Sequence, residues 1–143
     1  MMENRTIAWI EDDADEIAAV IKPLQRAGFH FNYYRDYSEA IEKREEIRQC
    51  DLILLDLIIP PGSASVATNP ELRTEQNLGK KLLRRFREEF AIEQPAIALS
   101  MLADTDGFEE GEAEELKVVQ LPKPIRPAEL KAAVYRVLRL EDE

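Results

Sequence analysis

Six polar residues, Glu11, Asp12, Asp13, Asp56, Ser100 and Lys123, stand at the ends of apolar runs, and their types together define a chemistry. Thr6-Ile7-Ala8-Trp9-Ile10 leads straight into Glu11-Asp12-Asp13, and seven aliphatic residues surround Asp56 in Leu52-Ile53-Leu54-Leu55-Asp56-Leu57-Ile58-Ile59. Ser100 closes Pro95-Ala96-Ile97-Ala98-Leu99, and Lys123 follows Val118-Val119-Gln120-Leu121 between two prolines. Carboxylates gathered at one point repel one another and need a cation between them. With no His or Cys partner, the set suits a hard ion, and a few carboxylates that leave room for water and a phosphoryl oxygen form the Mg²⁺ pattern. A hydroxyl and an ammonium facing the same point hold the oxygens of a transferred phosphoryl group. An Asp carboxylate can itself be the nucleophile, forming an acyl phosphate. Each piece also has a plainer reading. A strand-end Asp caps a turn, acidic residues favour a helix N-terminus, and a lysine between prolines sits in a solvated loop. The combination at successive strand ends carries the argument.

The elements that must position these residues follow from hydrophobic spacing. The continuous run around Asp56 predicts a strand buried on both faces, ended by Pro60-Pro61-Gly62. Ile17, Val20, Ile21 and Leu24 predict a helix from about Ala14 to Ala27, stopped by Gly28 and kinked in its last turn by Pro23. Phe29 to Tyr34 alternates as a strand with unlike faces, and Ser38 is the expected N-cap of a second helix reaching about Gln49. Leu78, Leu82, Leu83, Phe86 and Phe90 mark a third helix with a basic outer face, read as solvated or as a protein contact. The acidic segment from Asp104 to Lys117 carries Gly107 and Gly111, so any helix there is short. Pro127 starts a last helix with Leu130, Val134, Val137 and Leu138 on one face. Strict alternation of strands and helices implies an α/β fold with a parallel, doubly wound sheet, whose crossovers bring every strand's carboxyl end to one rim.

Composition narrows the function classes. At 143 residues the chain is sized for one domain with a sizeable core. A formal net charge of −10 argues against non-specific binding to DNA or to an anionic membrane. The single cysteine, Cys50, excludes an internal disulfide framework and fits a reducing compartment. No apolar stretch approaches the roughly 20 residues needed to cross a bilayer, and no signal peptide precedes Thr6. A cytoplasmic protein is expected.

The residues now in place resemble those of two-component response-regulator receiver domains. The resemblance is carried by Ile10-Glu11-Asp12-Asp13, by Leu55-Asp56-Leu57 with Pro60 four places after the Asp, by Ala98-Leu99-Ser100 and by Lys123-Pro124, and it covers about residues 5–140. It implies a flavodoxin-like, three-layer α/β/α fold with a five-stranded parallel sheet in the order 2-1-3-4-5. It further implies Asp56 as phosphoacceptor, with Mg²⁺ held by Glu11, Asp12, Asp56 and the backbone carbonyl of Ile58. Asp13 then lies one place beyond the acidic pair, with a register shift by one left open. Ser100 is implied as the hydroxyl that follows the phosphoryl group, and Lys123 as the family's ammonium. The whole chain, 1–143, reads as one receiver domain without a separate output domain.

Four features depart from the family pattern. The segment 60–77 is an extended loop, an insertion of roughly fifteen residues before Gly79, the glycine that opens the third helix. Met101 replaces a small residue after Ser100 and is expected to narrow phosphodonor access, so Met101→Ala should change the phosphorylation rate. Gln120 occupies a switch position that is often aromatic. The acidic segment implies a short fourth helix. In addition, Ile58 and Leu102, two places beyond Asp56 and Ser100, offer no hydrogen bond to an attacking water, which implies slow autodephosphorylation.

Three functions compete on these residues. The first is a phosphoacceptor, not a turnover enzyme, served by a sensor histidine kinase or phosphotransfer protein and acting on a downstream protein as a monomer or weak homodimer. The second is a pseudo-receiver, an interaction module that works without phosphorylation. The third, a Mg²⁺-dependent phosphohydrolase, lacks an acid-base residue two places after a strand-one nucleophilic Asp.

Overall fold

The computed structural model describes residues 4–62, 78–100, 108–109 and 111–140. Five strands, β1 (Thr6–Ile10), β2 (His30–Tyr34), β3 (Leu52–Asp56), β4 (Ala96–Ser100) and β5 (Val118–Pro122), form one sheet in the order β2-β1-β3-β4-β5. All four pairings are parallel. β3 and β4 are buried at every position, as their unbroken apolar runs require.

Alternation along each strand divides the core between the two faces of the sheet. Ala8, Ile10, Ile53, Leu55 and Ala98 belong to one core cluster, with residues of α3 (Tyr37–Glu42), α4 (Arg44–Arg48) and α5 (Leu78–Glu88). Ile7, Trp9, Leu52, Leu54, Ile97 and Leu99 belong to the other, with residues of α1 (Ala14–Val20), α2 (Lys22–Arg26) and α7 (Pro127–Leu138). The result is the expected three-layer arrangement, with helices on both faces of the sheet.

The kink expected at Pro23 occurs as a break at Ile21, between α1 and α2. Proline lacks the N–H that would bond the Ala19 carbonyl, and its ring crowds the preceding turn. Helical bonds persist on either side, with Ile21 N donating to Ile17 O (3.2 Å) and Gln25 N to Ile21 O (2.9 Å).

The start of α3 corrects the sequence reading. Asp36, not Ser38, is the N-cap: its carboxylate accepts from Glu39 N at 2.7 Å. The Glu39 carboxylate in turn accepts from Arg35 N at 2.8 Å. Ser38 lies inside the helix and donates its hydroxyl to the Pro61 carbonyl at 2.8 Å. Tyr37 N and Ser38 N donate to the carbonyls of Pro60 and Pro61, so the chain leaving β3 satisfies the helix's otherwise orphaned first donors. Asp36→Ala is expected to lower stability by about 1 kcal/mol, read as a shift in the urea midpoint with unchanged slope.

The basic face of α5 is largely engaged within the molecule. Lys80 and Arg84 both pair with Glu112 in α6 (Glu112–Glu115), and Arg85 pairs with Glu89 at 2.7 Å. Arg87 donates to the carbonyls of Leu116 (2.8 Å) and Ile92 (2.7 Å). These bonds brace the four-residue α6, which its glycine-bearing sequence specifies weakly.

Candidate functional site

Strand register assembles the rim. Ile10 pairs with Leu55, Asp56 with Leu99, and Ser100 with Pro122. Glu11, Asp56, Ser100 and Lys123 therefore emerge from four neighbouring strands at one edge. Among the described residues, Glu11, Asp56 and Ser100 are the buried polar or charged side chains, only 3%, 8% and 3% exposed. That all three lie at this edge separates the site from a set of ordinary caps.

Lys123 organises the cluster. Its Nζ donates to Glu11 Oε2 at 2.9 Å and to Asp56 Oδ2 at 2.7 Å, and its side chain is 6% exposed. The backbone holds it there: Lys123 N donates to the Ser100 carbonyl at 2.9 Å, and the Lys123–Pro124 peptide is cis. The reading of Lys123 as a solvated loop residue is therefore wrong. The other carboxylate oxygen of Asp56 accepts from Ile58 N at 2.9 Å, and that turn ends β3 three residues before the apolar run ends at Ile59. Ile58 itself is 48% exposed at the rim.

Gly79 fixes Asp56 from behind. Gly79 N donates to the Leu57 carbonyl at 3.0 Å. A Cβ at position 79 would press into the Asp56 carbonyl oxygen and lie 2.6 Å from Leu57 Cα. The first turn of α5 thus packs directly on the backbone that carries Asp56.

One ammonium serves two buried carboxylates, and Glu11 shows the imbalance. Burial, then the charge of Asp56, push its carboxyl up to about 8, against the opposing hydrogen bond and charge of Lys123. In metal-free protein, Glu11 binds its proton more tightly folded than unfolded. Its contribution is complete below the unfolded value of 4.5 and is lost as pH rises through about 8. Stability in EDTA is expected to fall between about pH 5 and 8, and Glu11→Gln to flatten that fall. Urea unfolding across the range checks both, and a rise with pH in wild type would contradict the assignment.

The donor set fits a hard divalent ion. Two buried carboxylates with excess negative charge, all-oxygen donors and an exposed Asp12 beside them suit Mg²⁺, which keeps several waters and needs only one or two carboxylates. Among the described residues no three acidic, His or Cys side chains are grouped so as to hold a metal ion by themselves, and Asp12 is exposed where Glu11 and Asp56 are buried.

The switch position behaves differently from an aromatic rotamer. The Gln120 side-chain oxygen accepts from Phe108 N at 3.0 Å, and Phe108 packs against the core beneath α5. Sequence reading missed Phe108; its only signal was one aromatic residue within an acidic stretch. Met101, Leu102 and residues 63–77 of the extended loop lie outside the described residues.

No protein-family profile matches the sequence, and no curated protein matches it. Solved structures do. A response regulator from Thermotoga maritima is 22% identical, with 96% of this chain and 99% of that one covered at a TM-score of 0.66. A two-component response regulator from Clostridium difficile is 21% identical, with 94% and 96% covered at 0.70. The chemotaxis response regulator CheY4 of Vibrio cholerae is 20% identical, with 96% and 99% covered at 0.68. The chain has the fold of response-regulator receiver domains.

Proposed function

We propose that the chain is a two-component response regulator that accepts a phosphoryl group on Asp56 and signals through protein–protein contact. The observation that carries this reading is the buried Lys123 ammonium bridging Glu11 and Asp56 at the carboxyl edge of the sheet. That ammonium offsets the two buried carboxylates, and it stands where the oxygens of an incoming phosphoryl group would also need a cation.

The carboxylate oxygen of Asp56 attacks the phosphorus of a phosphohistidine. The P–N bond breaks, the imidazole leaves with the electron pair and takes a proton, and an aspartyl phosphate forms. Glu11, Asp12, Asp56 and the Ile58 carbonyl would hold Mg²⁺, which supplies charge neutralisation for the incoming phosphoryl oxygens. Lys123, which donates to both Asp56 and Glu11, would turn from the Asp56 carboxylate to a phosphoryl oxygen. Ser100, buried at the end of β4, supplies a hydroxyl to another oxygen. Ile58 contributes no polar group toward a hydrolytic water. The partners are a sensor histidine kinase or phosphotransfer protein and a downstream protein, with no turnover enzyme activity. The setting is cytoplasmic, and no helix among the described residues is long and apolar enough to cross a membrane.

One observation favours the second reading, a pseudo-receiver. Lys123 already satisfies both carboxylates, and a protonated Glu11 would leave the cluster content without a metal. Borohydride reduction after treatment with acetyl phosphate and Mg²⁺ decides between them. A phosphorylated Asp56 becomes homoserine, visible by peptide mass at that residue, whereas a pseudo-receiver yields none.

A further inference from the structure

We propose that a cavity on the opposite side of Glu11, between α1, α2 and the edge strand β2, binds a small organic anion with a flat apolar body and a single carboxylate or sulfonate. Its volume is about 500 Å³, within the range of small-molecule sites. Among the described residues no strand lies beyond β2, so the cavity opens at the sheet's edge.

The walls are suited to an apolar body. Ile17 and Ala18 of α1, Ile21 at the helix break and Tyr33 of β2 line it. Tyr33 is 44% exposed, one of three large hydrophobic residues so placed among those described. Its ring is held in place rather than loose: it stacks on Phe31 with centroids 6.3 Å apart and planes at 12°, and Phe31 in turn meets Trp9 at 6.1 Å. A flat ligand would therefore meet a rigid aromatic wall.

Charge selects the head group. Lys22 and Arg35 also line the cavity. Neither side chain has an ion-pair partner among the described residues, although the chain carries a net charge of −10. The acidic residues at the inner end act differently. The Glu11 carboxylate is engaged by Lys123, which leaves the exposed Asp12 as the one acidic side chain of the lining not held by a cation among the described residues. Lys22 and Arg35 together outweigh Asp12 by one positive charge, and a carboxylate or sulfonate beside the two cations gains charge-assisted hydrogen bonds. Enclosure by two short helices and a strand limits the occupant to a small molecule, since a docked helix would need an open groove several turns long. This inference is independent of the phosphoacceptor reading, so Asp56→Asn should leave binding intact.

The probes are 2-naphthoate and its uncharged counterpart 2-naphthylmethanol, titrated into the full chain and followed by ¹⁵N NMR. Trp9, the single tryptophan, pairs with Tyr33 in the strand register, and its buried indole N–H has no hydrogen-bond partner among the described residues, so one indole resonance reports from behind the wall. Saturable shifts at Ala18, Ile21, Lys22, Tyr33 and the indole are expected, with naphthoate about tenfold tighter than the alcohol. Ala18→Phe, at an exposed helix position, should abolish binding of both probes. Lys22→Glu with Arg35→Glu should remove the preference for naphthoate and leave the alcohol's affinity unchanged. Shifts that do not saturate or that lie elsewhere would overturn the proposal. So would equal affinity for the two probes, or naphthoate binding unaffected by the double variant. If Ala18→Phe fails to fold, the double variant decides alone.

Discussion

Gly79→Ala is expected to destabilise the protein by about 2–3 kcal/mol, although alanine is ordinarily the better residue inside a helix by about 1 kcal/mol. The sign reversal comes from one contact. The added methyl would be driven into the Asp56 carbonyl and the Leu57 Cα, which are backbone atoms at the end of the fully buried strand β3 and cannot rotate aside. Either α5 lifts from the sheet or β3 is displaced, and Leu78, Leu82, Leu83 and Phe86, all fully buried, lose packing in both cases. Because Asp56 rides on the displaced backbone, its distance to Lys123 should change as well. Urea unfolding reads the first effect, and slower reaction with acetyl phosphate reads the second. A variant as stable as wild type would show that α5 does not approach β3 as closely as described here.

The second large effect is that of Lys123→Met. Methionine keeps much of the side chain's volume and removes the charge, so the variant isolates electrostatics from packing. Two buried carboxylates then face each other without a cation, a situation that typically costs about 3–5 kcal/mol. Protonation of Glu11 relieves part of it. The loss should therefore be smaller near pH 5.5, where Glu11 is protonated, and larger near pH 8.5, where wild-type Glu11 is ionised and relies on Lys123. Parallel urea titrations in EDTA at the two pH values test this. An equal loss at both would assign the effect to packing and remove Lys123 from the charge balance.

Local pattern foretold much of this structure, and contacts between distant residues account for the misses. The aliphatic run around Asp56, the strand–helix alternation and Pro127 at the first turn of α7 each express a rule that acts over a few residues. They were sufficient for the parallel sheet, whereas its strand order was implied only by the resemblance to receiver domains. Ser38 and Asp36 are both good capping residues, and the choice between them depends on the Pro61 carbonyl, which occupies the Ser38 hydroxyl from 23 positions away. The basic face of α5 looked solvated because its partner Glu112 lies 28 residues beyond Arg84. At the site itself the residue types were legible, since buried acids at strand ends are rare and costly. The manner of their neutralisation was not. Lys123 reaches Glu11 across 112 residues of sequence, and the resulting proton affinity of Glu11 depends on burial that no local pattern encodes. Asp12 illustrates the opposite limit: it adjoins Glu11 in sequence, yet it is exposed while Glu11 is buried.

The proposed chemistry is transfer of a phosphoryl group to Asp56 with help from a divalent ion. Intact-mass measurement after incubation with acetyl phosphate tests it most directly, with and without Mg²⁺, on wild type and on Asp56→Asn. A single phosphoryl adduct is expected on wild type in Mg²⁺, lost on chelation and absent from the variant. An unmodified wild-type mass in Mg²⁺, or an adduct of equal yield on Asp56→Asn, would contradict it.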